Sequence, residues 1–339
     1  MMSVIIVTNI FDGKWPFAAD HLHKIWGKQG EVHLIRMGYK DTRTLVQMVD
    51  SPEKIKRLVC LGYEITLEDL KRLSNLEELA VTSKQLTDEI ASEARDRNIS
   101  IYMHTSEGYW KESVAEFAVG LTICGLRRIP QLYMQMRSNL DIWKYTPEPG
   151  QAAPGKRGQQ YADDSRFTNG TISGKRIRIV GAGNIASHYG KIASCMGADV
   201  AAYDPYARET TFDLSGMRRE FRLEKLVEDA EIFAPMVPLN DSTRGLITSD
   251  LINRLPIGCL VILVTRAKIC DMPSIRQRVI NDEIALAADV FDIEPFPLAD
   301  ELIVRHNVVH TPHIAGRTRQ ANESYVKKLA EQFKRYEGE

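Results

Sequence analysis

The stretch that most constrains this chain is residues 175–204, KRIRIVGAGNIASHYGKIASCMGADVAAYD. Arg176 to Val180 runs into β-branched residues, as a buried parallel strand does. Gly181-Ala182-Gly183 then predicts a sharp turn, because glycine reaches backbone angles closed to other residues. Ile185 to Met196 has the pattern of a helix, with Ala186 at a position where close helix–strand packing needs a small side chain. Val200 to Tyr203 is a second strand, and Asp204 ends it.

Strand, glycine turn, helix, strand and terminal acid at this spacing form a dinucleotide-binding fingerprint. Gly183 would let a pyrophosphate approach the main chain, and the helix amides at Asn184 and Ile185 would face it. Asp204 would accept hydrogen bonds from the adenosine ribose and repel a 2′-phosphate. Pro205, Tyr206 and Ala207 supply no adjacent cation, although Arg208 is not far beyond, so NAD is expected over NADP.

At 339 residues the chain is long enough for two cores. Its 44 lysines and arginines nearly cancel its 45 acidic residues, which leaves no basic footprint for nucleic acid. The five cysteines show neither metal-finger nor disulfide spacing, as expected in a reducing compartment. Val4 to Val7 has no basic leader before it, so it is expected to be a first strand and not a signal peptide. No apolar run approaches membrane-spanning length, and a cytoplasmic protein is expected.

Before the fingerprint, Val4–Val7, Val32–Ile35, Leu58–Leu61, Leu76–Val81 and Ile99–Met103 alternate with helical segments. That rhythm predicts a parallel sheet covered on both faces. Glu112 to Arg128 reads as one long helix, and Pro130 opens a second that runs to about Arg137. Residues 146–172 read as a long surface loop. Within it, Gly150, Gly155 and Lys156 have P-loop spacing, but Arg157 stands where a magnesium-binding hydroxyl is required. After Asp204, strands are expected at Ile232–Val237, Leu260–Val264, Ile284–Val290 and Val308–Thr311, with helices between. Arg317 to Tyr336 has helical periodicity and is expected to return to the first domain.

Ligands of open α/β sheets bind beyond the carboxyl ends of the strands. Arg266, Glu294 and His313 fall at three such ends. An arginine fork can clamp a carboxylate, and a histidine backed by a carboxylate can move a proton near neutral pH. His306, His310 and His313 could also suggest a metal, but strand geometry sends His310 and His313 to opposite faces and no acid or cysteine cluster completes a set.

These segments resemble the NAD-dependent D-2-hydroxyacid dehydrogenases. The matching motifs are SVAEFAVGL at 113–121, SGKRIRIVGAGNIA at 173–186, VPLNDSTRGLI at 237–247, Thr265-Arg266, ADVFDIEP at 288–295 and TPHIAG at 311–316, in the family's order. The resemblance implies an α/β fold of two doubly wound domains. A flavodoxin-like substrate domain would span 1–105 plus 317–339, and a Rossmann dinucleotide-binding domain 106–316. It also implies hydride transfer between NAD(H) and a 2-oxo acid/(R)-2-hydroxy acid pair, in a homodimer. Arg266 would hold the substrate carboxylate, His313 would be the acid/base and Glu294 would orient it. Pro238, Thr265 and Asp289 would join Gly181, Gly183, Asn184, Ile185 and Asp204 around the cofactor, with Asp289 on the nicotinamide side.

The chain departs from that family at the expected substrate contacts. The turn that includes Ser83, Lys84 and Gln85 lacks the usual glycines, and Ala267-Lys268 replaces a glycine pair after Arg266. Lysines at 84 and 268 predict a substrate with a second negative charge. The alternative function is an NAD(H)-sensing binding protein, as in a corepressor of related fold, and a relative oxidising formate or phosphite is a third reading. An intact Arg266–Glu294–His313 set favours the dehydrogenase.

Overall fold

The computed structural model describes residues 2–81, 85–103, 108–140, 143 and 161–334. It divides into two compact units, Met1–Trp110 with Arg317–Glu339, and Lys111–Gly316.

The first unit holds strands β1 (Met2–Thr8), β2 (Glu31–Met37), β3 (Ile55–Leu61), β4 (Glu78–Val81) and β5 (Ser100–Met103). They form one parallel sheet in the order β2-β1-β3-β4-β5, the flavodoxin-like arrangement. Alternate residues of β1 go to opposite faces. Val4 and Ile6 join a core with Leu58 and Leu79, while Ile5 and Val7 join one with Val59 and Ala80. The second core is closed by the helices Ala18–Trp26 and Arg319–Ala330, through Leu22, Trp26, Tyr325 and Val326. Side-chain caps set the helix starts. Thr66 and Thr87 accept amides three residues on, from Asp69 and Ile90.

The expected boundary at 105/106 lies outside the described residues. The observed units divide between Trp110 and Lys111, and aromatic packing explains why. Trp15 stacks on Tyr325 at 4.8 Å, and Tyr109 meets Trp15 edge-on at 5.8 Å. The Arg317 guanidinium lies 4.1 Å over Trp15. Trp110 also stacks on Trp15, at 6.3 Å, so residues 109, 110 and 317 are tied to the first unit.

The second unit carries β6 (Arg176–Val180), β7 (Asp199–Tyr203), β8 (Arg218–Arg219), β9 (Ile232–Pro235), β10 (Leu260–Leu263), β11 (Ala285–Ala288) and β12 (Val308–His310). These seven strands are parallel in the order β12-β11-β10-β9-β6-β7-β8, and the order reverses between β6 and β9. Sequence periodicity missed β8, a two-residue edge strand of arginines with no apolar signal. Arg178, in the centre of β6, is 2 % exposed. Its fork is held by Asp229, at 2.7 and 2.6 Å, and by Asp199 at 3.0 Å. A buried charge needs such partners.

The helix Lys111–Arg127 ends at Arg128, whose left-handed backbone (φ 53°) turns the chain into the helix Ile129–Ser138. That second helix leaves Ile129, Tyr133, Met134 and Met136 exposed. The expected loop at 146–172 is not wholly a surface feature. Phe167 and Ile172 are buried, and the Thr168 amide donates to Gly258 O at 2.8 Å. Gly150, Gly155 and Lys156 lie outside the described residues.

Candidate active site

The reversal of strand order opens a crevice between the loops after β6 and β9. Gly181 takes φ 104°, and a Cβ there would meet Val237 Cγ1 at 3.0 Å and Met236 O at 3.1 Å. Glycine is thus required by conformation and by the approach of the β9 loop. Gly183 differs: a Cβ there would meet nothing within 4 Å, so the protein itself leaves that space open. Gly183 also precedes the helix Asn184–Cys195, which has no side-chain N-cap. Its first amides, at Asn184 and Ile185, can therefore receive a phosphate.

Asp204 organises the turn as well as the crevice. Its Oδ2 accepts the Ala182 amide at 2.8 Å, and its Oδ1 accepts the amides of Tyr206 and Ala207 at 2.9 and 3.1 Å. A carboxylate has about four acceptor positions, so Oδ2 retains one for a ribose hydroxyl. Pro238 is exposed on the β9 loop, and its carbonyl accepts Thr243 Oγ1 at 2.5 Å. Thr265 is buried and donates to Pro235 O at 3.3 Å, so its hydroxyl ties β10 to β9. An open Gly183, uncapped helix amides and an acid with an acceptor position to spare fit NAD. Sequence reading overlooked Arg219, whose Nη2 lies 3.4 Å from Asp204 O and whose guanidinium packs between Phe212 and Phe221.

Further along the same carboxyl edge, His313 Nδ1 lies 2.8 Å from Glu294 Oε2. Glu294 Oε1 accepts the Phe291 amide at 2.9 Å, which fixes the carboxylate from behind. The histidine backbone is left-handed, at φ 57°. His310 and His306 do not join it: His310 packs on Phe296, and His306 Nε2 bonds Asp282 at 3.1 Å.

Asp289, expected beside the nicotinamide, is fully buried and engaged by the protein itself. Its Oδ1 accepts Thr311 Oγ1 at 2.6 Å and the Ile314 amide at 3.0 Å, and its Oδ2 accepts the Ala315 amide at 2.9 Å. Thr311 and Ser113 were not singled out from the sequence, although both lie inside quoted motifs. The Ser113 hydroxyl donates to Ala315 O.

Arg266 is exposed at the end of β10, and its Nη1 donates to Thr265 O at 2.7 Å. Lys268 is exposed in the short turn Ala267–Ile269. Gln85 is directed inward: it is buried, and its Nε2 donates to Tyr63 O at 2.6 Å. Ser83 and Lys84 lie outside the described residues.

The profile described as "D-isomer specific 2-hydroxyacid dehydrogenase, NAD binding domain" matches residues 121–315. The chain is 26% identical over 309 residues to D-3-phosphoglycerate dehydrogenase of Methanocaldococcus jannaschii, covering 91% of this chain and 50% of that protein. It therefore spans about half the length of that relative. It is 25% identical over 285 residues to hydroxypyruvate reductase of Thermotoga maritima, covering 83% of this chain and 84% of the relative. A phosphoglycerate oxidoreductase from Rhizobium etli shares the fold, with TM-score 0.71 and 16% identity over 98% of this chain and 93% of that one.

Proposed function

This chain belongs to the D-isomer specific 2-hydroxyacid dehydrogenase family, and from that premise we propose that it interconverts a 2-oxo acid and its (R)-2-hydroxy acid with NAD(H). The observation that carries this reading is the His313–Glu294 pair on the carboxyl edge of the NAD-binding sheet. With Nδ1 turned to Glu294, Nε2 is the nitrogen that would hand its proton to the substrate oxygen. Glu294 would stabilise the imidazolium in the protonated state. Arg266, exposed on the next strand end, would clamp the substrate carboxylate with its fork. Gly183, the amides of Asn184 and Ile185, and Asp204 would hold NAD, which supplies or accepts the hydride. Pro238, Thr265 and Asp289 would border it. The decisive experiment is NADH consumption against a panel of 2-oxo acids, including phosphorylated and dicarboxylic ones. Turnover expected of the wild type and lost in His313→Ala supports the reading; no turnover with any oxo acid overturns it.

The finer features belong to the same proposal. The first unit would be the substrate domain, with Ser83, Lys84 and Gln85 assigned to substrate on resemblance; among them, Gln85 has its amide committed to Tyr63 O. The substrate would carry a second anionic group, as 3-phosphoglycerate does in the namesake reaction of the M. jannaschii relative. A homodimer would form through the nucleotide domain. The long helix from Glu112, the face suggested by its apolar sequence, has Val114, Ala118, Leu121 and Leu126 buried, whereas the following helix Ile129–Ser138 offers exposed apolar residues for the contact. A cytoplasmic setting agrees with cysteines that are all unpaired. Among the described residues, no helix is long and apolar enough to cross a membrane.

A further inference from the structure

We propose that Asp289 is a positioning residue that builds the backbone of His313, with Ser113 as its counterpart on the opposite side of the same segment. In its kinetic arm this rests on the reaction proposed above. Residues 311–315 are fixed at both ends. At one end the Thr311 amide donates to Ala288 O at 3.0 Å, and its hydroxyl donates to Asp289 Oδ1. At the other, Ile314 N and Ala315 N donate to the two Asp289 oxygens, and Ala315 O accepts from Ser113 Oγ. Only Pro312 and His313 span the interval. His313 crosses it at φ 57°, a conformation that residues with a Cβ rarely adopt and that its surroundings must impose.

The other half of the dyad is held by the same stretch of chain. Phe291, two residues after Asp289, donates its amide to Glu294 Oε1. Asp289-Val290-Phe291 therefore places both members of the pair, the histidine through a side chain and the glutamate through a backbone amide. Asp289 is 0 % exposed and already accepts three protein hydrogen bonds, so its first task is internal. This differs from a contact made mainly with the cofactor.

Asp289→Asn tests the assignment. Both native oxygens accept backbone N–H groups, so an amide in either orientation sets its NH2 against a donor. In cofactor-free protein, exchange of the amides of residues 313–316 should quicken by about tenfold or more. In turnover, kcat should fall by about tenfold to a hundredfold, because small misplacements of a reacting group are costly. In Ser113→Ala and Thr311→Val, which the proposed function does not place against the cofactor, the NADH Kd should stay within about threefold. Thr311→Val and Ser113→Ala each remove one anchor and should show the same exchange change in milder form; they carry the test if Asp289→Asn does not fold. Unchanged exchange in every folded variant overturns the proposal. So does a weakened NADH Kd with kcat intact, which would make Asp289 a cofactor contact. Should the wild type reduce no oxo acid, the exchange result still decides the clamp, and only the reaction falls.

Discussion

Glu294 Oε2 and His313 Nδ1 stand 2.8 Å apart although each comes from a different loop and each is partly open to water. An exposed ion pair of this kind contributes little to stability. Its value is orientational: it fixes which ring nitrogen meets Glu294, and on the proposed reaction Nε2 would be the one that meets the substrate. The Phe291 amide, donating to Glu294 Oε1, holds the carboxylate from the main chain as well.

Removing His313 tests the chemistry directly. His313→Ala should lower kcat by roughly a hundredfold to ten-thousandfold, the usual range for a general acid/base. NADH binding, measured by fluorescence, should change little. Glu294→Gln should lose a smaller part of kcat, with KM for the oxo acid nearly unchanged, because the ring loses its anionic partner but remains present. Equal turnover of wild type and His313→Ala would remove His313 from the reaction.

On the proposed cofactor assignment, Asp204 would decide between NADH and NADPH. Its carboxylate receives the Ala182 amide from the glycine turn and would also accept the adenosine ribose hydroxyls. Asp204→Ala should therefore weaken NADH while narrowing the preference over NADPH, since an acceptor and a repulsive charge disappear together. Arg219, 3.4 Å from Asp204 O, gives that end of the crevice a nearby cation. Titrations of both cofactors should show the ratio of Kd values shrinking; a ratio that is unchanged would place the discrimination elsewhere.

The parts legible in the sequence were those written in local chemistry. Gly181 needs its φ and Asp204 ends its strand, so both were visible from spacing. Val4 to Val7 announced a strand buried on both faces because every residue in it is apolar. Arg218–Arg219 carried no such signal, and its strand exists only because β7 offers an edge to pair with. Resemblance suggests a place for Asp289 beside the cofactor, but its grip on residues 311–315 depends on contacts more than 20 residues apart in the chain. Gln85 illustrates the reverse: its position in the turn was plain, but the direction of its side chain was set by the Tyr63 carbonyl.

Acid should reveal the clamp on Arg178. Hydrogen bonding from the Arg178 guanidinium holds the Asp229 carboxyl below its ordinary value. A folded pKa below the unfolded one gives stability that is present above about pH 4 and lost as pH falls through the folded value. Asp229→Asn should thus be destabilised at pH 7, by about 1 kcal/mol after allowing for the screening of a half-exposed carboxylate. Denaturant melts should show the gap to wild type closing on acidification. A gap that is constant from pH 7 to pH 3 would mean the charge is irrelevant.

The exposed face of the helix Ile129–Ser138 should govern assembly. Met134→Glu places a charge among Ile129, Tyr133 and Met136, and burying an unpaired charge in an interface is strongly unfavourable. Light scattering should find a dimer for the wild type and a monomer for the variant. A wild-type monomer at working concentration would end the dimer proposal.

The substrate's charge is open to a similar test at Lys268. This lysine is exposed two residues after Arg266, and among the described residues its ammonium has no ion-pair partner. Its alkyl stem can lie along the surface while the charged end stays in water, where it can meet a distal phosphate or carboxylate. Attraction at such an exposed site is screened over about 8 Å at physiological ionic strength, so it should weaken as salt rises. A phosphorylated or dicarboxylic oxo acid should therefore show a higher kcat/KM than pyruvate at low salt. Lys268→Ala should reduce that preference, with kcat for pyruvate nearly unchanged, because the lost contact lies at the far end of the substrate. Lys84→Ala should act in the same direction. Measuring kcat/KM for both substrates at low and high salt separates the cases. If pyruvate is preferred at every salt concentration, both lysines serve the solvent, and the second charge is removed from the substrate assignment.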